Sequence, residues 1–300
     1  MNRLETEFLG FTMKNPIIAA SGTFGYGEEF RSFYEPSLLG GISSKGLTLY
    51  PKEGNSGIRI WETPSGILNS IGLENPSVGR FLEEEYKRMR AIDSLLVVNL
   101  GGNTLEEYVE GARLLNEADI DVLELNISCP NVKEGGMAFG VDPKSAEKVT
   151  SAVRNATKHK LMVKLSPNVT HIGDMAKACE EAGADAISLI NTVQGMAIDV
   201  DKKKVVFDQT YAGLSGPAVR PIALRMVHQA VKAVKVPVVG MGGIVSYKDA
   251  ISFLMAGAAA VMIGTGQFVN PYLGKEMVED LERYCEKENL MNIGEIRGIV

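Results

Sequence analysis

From Gly41 onward the chain alternates between short apolar runs and longer stretches of helical periodicity, and this alternation is the strongest constraint on its fold. Parallel neighbours in a sheet need a crossover connection, usually a helix, so such a pattern predicts repeated βαβ units around a parallel sheet. Strands are predicted at Gly41–Lys45, Leu95–Leu100, Val122–Ile127, Leu161–Leu165, Ala186–Asn191, Val236–Gly240 and Ala260–Gly264. An eighth, with a weak signal, is placed near Ala212–Leu214, which brings the count to that of a closed (β/α)8 TIM barrel. Residues 4–18 read as an N-terminal β-hairpin, with turn signals at Gly10 and Asn15-Pro16.

An internal repeat supports the reading. The segments 117–126, 181–191 and 255–264 each run from a helix end into a strand, and Gly183 and Gly257 stand where a helix C-cap wants positive φ. Thr104 with Glu107 and Ser246 with Asp249 have the spacing of capping boxes at helix starts. Two stretches, 46–76 and 192–215, are too long for plain connections. The second is expected to hold a short hairpin, Ile198–Val200 with Val205–Phe207. Both follow barrel strands and so belong to the C-terminal face, where barrel active sites are built. Nothing resembles a flexible linker, so residues 1–300 are expected to form one domain.

Composition narrows the function. The net charge of -6 and the absence of a basic stripe disfavour nucleic-acid binding. The longest basic run, Lys202 to Lys204, sits beside Asp199 and Asp201 and reads as a solvated turn. Three scattered cysteines, Cys129, Cys179 and Cys285, argue against a disulfide framework and for a reducing compartment. His159, His171 and His228 fall outside the glycine-rich and turn-rich motifs, so no metal site is expected from this chain. The apolar stretch Phe253–Ile263 is too short to span a bilayer, and the N-terminus lacks a signal peptide's apolar region. A cytoplasmic location is expected.

Three features carry chemistry. Gly240-Met-Gly-Gly243 and Gly264-Thr-Gly266 follow the last two strands, where barrels commonly bind phosphate through backbone N–H groups. Neither is a dinucleotide fingerprint, since the third glycine is missing. Asn126-Ile-Ser-Cys-Pro-Asn131 puts two amides, a hydroxyl and a thiol at a strand end. The amides match the donor and acceptor edges of a planar heterocycle, and a thiol, with an unperturbed pKa of about 8.5, can exchange a proton near neutrality. By contrast, Cys179 continues the helical apolar stripe of Ile172, Met175 and Ala176, and Cys285 lies in a charged terminal helix; both read as packing residues. Lys164 shares an inward face with Met162 on an apolar strand, and Lys45 raises the same question in Ser43-Ser-Lys-Gly46. A lysine directed into a barrel needs an anionic or polar partner, and two suit a ligand that gains negative charge, such as a reduced flavin.

Together, Ser44-Lys-Gly-Leu-Thr48, Asn69-Ser-Ile-Gly-Leu73, the Asn126–Asn131 segment, Lys164, Asn191-Thr192, Gly242-Gly243 and Gly264-Thr265 resemble the dihydroorotate dehydrogenases, over nearly the whole chain. The resemblance implies oxidation of dihydroorotate to orotate in pyrimidine biosynthesis. Cys129 would take the C5 proton while hydride passes from C6 to FMN. Lys45, Asn69, Ser70, Ile71, Gly72, Leu73, Asn126, Asn191 and Thr192 would hold the substrate. Ser21, Lys45, Gly46, Asn99, Asn126, Lys164, Ile190, Gly216, Gly242, Gly243, Gly264 and Thr265 would hold FMN, with Lys164 near flavin N1.

A cysteine at position 129 resembles the soluble class rather than the membrane-bound class, which has serine there. Asn191-Thr192 and Val132-Lys-Glu-Gly-Gly-Met137 are similar to the NAD-linked type (class 1B). That type pairs with an electron-transfer subunit carrying FAD and a [2Fe–2S] cluster, so a heterotetramer built on a homodimer of this chain is expected. The chain has neither a cysteine cluster nor a dinucleotide fingerprint of its own, which agrees with NAD chemistry on another polypeptide. Two flavin alternatives stay open: a fumarate-linked dihydroorotate dehydrogenase and a dihydropyrimidine dehydrogenase-like reductase. A third is a flavin-free barrel such as an aldolase using Lys164 as a Schiff-base amine.

Overall fold

The computed structural model of the protein describes residues 2–128 and 139–300. Eight parallel strands close into a barrel: β1 (Ile17–Ala19), β2 (Gly41–Ser43), β3 (Leu95–Leu100), β4 (Val122–Asn126), β5 (Lys160–Lys164), β6 (Ala186–Leu189), β7 (Val238–Met241) and β8 (Ala260–Ile263). Closure comes from β8 pairing with β1, Val261 opposite Ile17 and Ile263 opposite Ala19. The expected (β/α)8 barrel is therefore the fold of this chain.

Alternation along each strand divides the core in two. Leu95 and Val97 of β3 point inward, where they meet Val122, Met162, Ala186, Val239 and Met262. Leu96, Val98 and Leu100 point outward to the helices. Burial on both faces is why these strands read as nearly continuous apolar runs. The helices are α1 (Leu105–Leu115), α2 (Pro143–Ala156), α3 (Ile172–Glu181), α4 (Arg220–Ala233), α5 (Tyr247–Met255) and α6 (Leu273–Lys287), with a further helical segment across 78–90 between β2 and β3. The N-terminal hairpin, Thr6–Phe8 with Phe11–Met13, drives Phe8 and Met13 into the inner core and stops the barrel's N-terminal end. Among the described residues no helix is long and apolar enough to cross a membrane.

One strand differs from its expected place. The weak segment Ala212–Leu214 is not a barrel strand; it lies in Tyr211–Ser215, antiparallel to both Val193–Met196 and Gly66–Asn69. The eighth strand is Ile17–Ala19, which the expected hairpin over residues 4–18 had absorbed. Three residues directly after Asn15-Pro16 are too few to show a periodicity, and only pairing with β2 and β8 identifies them. The two long connections then meet: Ile60–Thr63 and Gly66–Asn69 from one, Val193–Met196 and Tyr211–Ser215 from the other, form a four-stranded antiparallel sheet. The short hairpin within 192–215 is present as Ile198–Asp199 with Lys204–Val205, and its lysines are exposed.

Both helix starts are capped by the expected hydroxyl, but neither closes a full capping box. The Thr104 hydroxyl accepts from Glu107 N–H at 3.2 Å, but Glu107 reaches past it to accept from Asn103 N–H at 2.8 Å. Ser246 accepts from Asp249 N–H, and the Asp249 carboxylate accepts in return from the Ser246 hydroxyl and Val245 N–H. Gly183 and Gly257 adopt φ of 96° and 102°; at Gly257 a Cβ would stand 2.6 Å from Val231 Cγ1.

Candidate active site

A cavity of about 590 Å³ opens at the C-terminal ends of the barrel strands, between them and the antiparallel sheet, a size that suits a cofactor together with a small substrate. Its walls hold nearly every residue the sequence nominated: Ser21, Lys45, Gly46, Asn69, Ser70, Ile71, Gly72, Leu73, Asn126, Lys164, Ile190, Asn191, Thr192, Gly242, Gly243, Gly264 and Thr265. These positions come from most of the barrel strands, and the closed barrel alone brings them together. Asn99 and Gly216 do not line the cavity: Asn99 is fully buried beside it, and Gly216 sits behind the Gly242–Gly243 turn. Cys129 lies outside the described residues.

One end of the cavity is a glycine cradle. Gly242 and Gly243 have φ of 127° and 71°. A Cβ on Gly243 would come within 2.7 Å of Gly216 O and 2.8 Å of Arg220 Cβ, and one on Gly242 within 2.7 Å of Ala223 Cβ. The turn therefore packs directly on the start of α4, with no room for side chains. Among the described residues the backbone N–H groups of Gly243 and Thr265 have no acceptor. Arg220 pairs with Asp249, which ties α4 to the N-terminus of α5 behind the cradle. Such N–H groups, backed by a rigid turn, suit phosphate oxygens.

The middle of the cavity floor is Lys164. It is 5% exposed and faces the cavity, and its ammonium has no hydrogen-bond or ion-pair partner among the described residues. An unpaired buried cation is costly, so the site is electrostatically prepared for an anion or an electron-rich ring edge. Lys45, half-buried on the opposite wall, adds a second positive charge.

The other end is built from amides. Asn69 donates its Nδ2 to Gly213 O at 3.2 Å, which pins one long loop to the other. Asn191 donates to the Ser128 hydroxyl, which in turn donates to Asn126 Oδ1. Tyr108, wholly buried, donates its hydroxyl to Asn126 O at 2.9 Å and fixes the end of β4 where the segment leading to residue 129 begins. The Asn69–Leu73 wall starts at the last residue of the strand Gly66–Asn69 and ends at Gly72 and Leu73, both with positive φ, 79° and 55°.

Some features were missed from sequence. Tyr108 follows a helix stripe and gave no signal. Glu124 could have been found by the argument that found Lys164, because it too faces inward on an apolar strand. The other cysteines behave as packing residues. Cys179 is fully buried against Thr150, and burial pushes its thiol up to about 12; Cys285 is buried and its thiol is raised for the same reason. His159 is buried at the N-terminal end of β5, its Nε2 3.0 Å from Leu115 O, and burial lowers its pKa.

Comparison with known proteins gives a consistent result. The family model described as dihydroorotate dehydrogenase matches residues 3–285. The chain is 53% identical over 291 residues to the dihydroorotate dehydrogenase B (NAD(+)) catalytic subunit of Petrotoga mobilis, covering 97% of each chain. It is 50% identical over 295 residues to the protein of that name from Thermoanaerobacter pseudethanolicus, covering 98% of each, and 51% identical over 287 residues to that from Bacteroides thetaiotaomicron, covering 95% of each.

Proposed function

Because the chain belongs to the dihydroorotate dehydrogenase family, we propose that it catalyses the oxidation of dihydroorotate to orotate in pyrimidine biosynthesis, as the FMN-bearing catalytic subunit of an NAD-linked enzyme. The observation that carries the reading is the buried Lys164 ammonium, unpartnered among the described residues, in the floor of a cavity that ends in the Gly242–Gly243 and Gly264–Thr265 turns. A phosphate-bearing, electron-accepting ring system answers both features at once. The free N–H groups of Gly243 and Thr265 would take the phosphate, and Lys164 would lie against the ring edge that becomes electron-rich. Bound FMN supplies the acceptor for the hydride that leaves C6 of the substrate.

The remaining work falls to side chains. Lys45 faces the cavity, has no ion-pair partner among the described residues, and would meet the substrate carboxylate. The Asn69–Leu73 segment, Asn126, Asn191 and Thr192 offer the donors and acceptors that a pyrimidine ring edge requires. Cys129 follows Ser128 directly and is assigned as the base that takes the C5 proton. Electrons would then pass to NAD through a partner subunit carrying FAD and a [2Fe–2S] cluster, in a heterotetramer built on a homodimer of this chain in the cytoplasm.

The test is direct. The isolated chain, purified or reconstituted with FMN, should be yellow, and anaerobic dihydroorotate should bleach its flavin absorbance. A chain that takes up FMN but whose absorbance dihydroorotate leaves unchanged would refute the substrate. Turnover with fumarate by the isolated chain would overturn the acceptor, as would purification from the native source without an iron-containing partner.

A further inference from the structure

Glu124 is wholly buried inside the barrel, on β4, below the cavity. Its two carboxylate oxygens are used separately. Oε1 accepts from the Ser188 hydroxyl of β6 at 2.7 Å, and Oε2 accepts from Asn99 Nδ2 of β3 at 2.6 Å. No cation lies in ion-pair range among the described residues; Lys164 stands on the adjacent strand two residues further up, its Cα paired with Asn126 while that of Glu124 pairs with Met162. A carboxylate so enclosed is expensive to keep.

Its position gives it a consequence that a neutral side chain would lack. A carboxylate only accepts, whereas a carboxamide has one donor end and one acceptor end. With its Nδ2 held by Glu124, Asn99 must turn Oδ1 the other way, toward Asn126, whose Nδ2 lies 3.5 Å from it. Asn126 has its Nδ2 on that side and its Oδ1 on the other, where the Ser128 backbone N–H, at 3.3 Å, and the Ser128 hydroxyl both donate to it and the hydroxyl itself accepts from Asn191. Every donor along this path points back toward Glu124. We infer that Glu124 is a positioning residue: its carboxylate at one end, with the Ser128 N–H at the other, sets the direction of the chain from Asn99 through Asn126 to Ser128, and so holds the cavity-lining Asn126 carboxamide in one orientation for a bound flavin or pyrimidine. This inference rests on the flavin reading for its ligand, but the direction of the chain can be measured without one.

Glu124→Gln is the decisive variant, because glutamine has the same shape but offers both a donor and an acceptor, and lets Asn99 turn over. FMN binding by the apo chain is read from flavin fluorescence, and orotate binding by the FMN-loaded chain from the flavin spectrum. Glu124→Gln should fold and yet weaken both by about tenfold or more, the size of a misdirected buried hydrogen bond. Glu124→Asp should recover most of the loss, since it keeps an acceptor-only group. Asn99→Ala should lose a similar amount, and adding Glu124→Gln to it should cost less than about twofold more, because both act along one path. Binding by Glu124→Gln within about twofold of the unaltered chain, or losses that multiply in the double variant, would overturn the proposal. If Glu124→Gln does not fold, Asn99→Ala carries the test instead, and binding by it within about twofold of the unaltered chain would overturn the proposal. A flavin-free readout separates this inference from the flavin reading itself. The carboxamide N–H signals of Asn99 and Asn126, assigned with Asn99→Asp and Asn126→Asp, should move in apo Glu124→Gln. Unmoved signals would sink the positioning role even where FMN binds normally, and moved signals would sustain it even if the unaltered chain bound no FMN.

Discussion

Asn126 and Lys164 stand directly opposite one another on adjacent parallel strands, and both line the cavity. One offers an amide and the other a buried ammonium, so a ring lying across the pair would meet neutral hydrogen bonding at one edge and positive charge at the other.

Lys164→Met should act in opposite directions on the empty and the loaded protein. It removes a buried charge that is unpartnered among the described residues and keeps the aliphatic volume, so the apo chain should be as stable as before or more so by about 1 kcal/mol. FMN affinity should fall by at least about tenfold, which is about 1.4 kcal/mol. Denaturant titrations with and without FMN measure both. A loss of apo stability of several kcal/mol would mean the ammonium already has a strong partner.

Gly243→Ala should disable the cradle. Its φ of 71° is one that alanine adopts at a cost of about 1–2 kcal/mol, and the added Cβ would stand 2.7 Å from Gly216 O. FMN should be lost on gel filtration while circular dichroism stays close to that of the unaltered chain. Retention of flavin at the same affinity would show that the phosphate is held elsewhere.

Cys129 should be separable from binding. Cys129→Ala should take up FMN and orotate but lose about two to four orders of magnitude in flavin reduction by dihydroorotate, the contribution expected of a positioned base. Cys129→Ser should be partly active and shifted to higher pH, because a hydroxyl is a weaker acid than a thiol. Stopped-flow reduction across pH measures this; near-normal reduction in the alanine variant would remove Cys129 from the mechanism.

Cys179 supplies a pH signature of packing. Its thiol is pushed up to about 12 by burial, whereas in the unfolded chain it titrates near about 8.5. Between those values the folded chain holds a proton that the unfolded chain has lost, so stability should fall as pH rises, by up to about 1.4 kcal/mol per unit. Tyr26, raised to about 12 mainly by burial, adds to the same trend at higher pH. Cys179→Ala should flatten the decline between about pH 9 and 10, before tyrosine joins it. Alkylation at pH 8 should modify neither Cys179 nor Cys285, leaving Cys129 as the thiol that reacts and that orotate protects. An unchanged alkaline slope in Cys179→Ala would argue against the burial effect.

Local patterns of residues determined much of this protein. Periodicity located seven of the barrel strands, and glycines marked the turns after β7 and β8. Alternation with Met162 turned Lys164 inward, because a strand's side chains change face at every residue. Tertiary structure decided what no local pattern could carry. Ile17–Ala19 is a barrel strand only because β2 and β8 flank it, and Ala212–Leu214 belongs to a sheet made by two loops more than a hundred residues apart. Likewise Glu124, Asn99 and Ser188 become one hydrogen-bonded group only when three strands curve around a common axis. Hydrogen-bond direction and the burial of charge are properties of neighbours in space, and the chain order does not contain them until the barrel has closed.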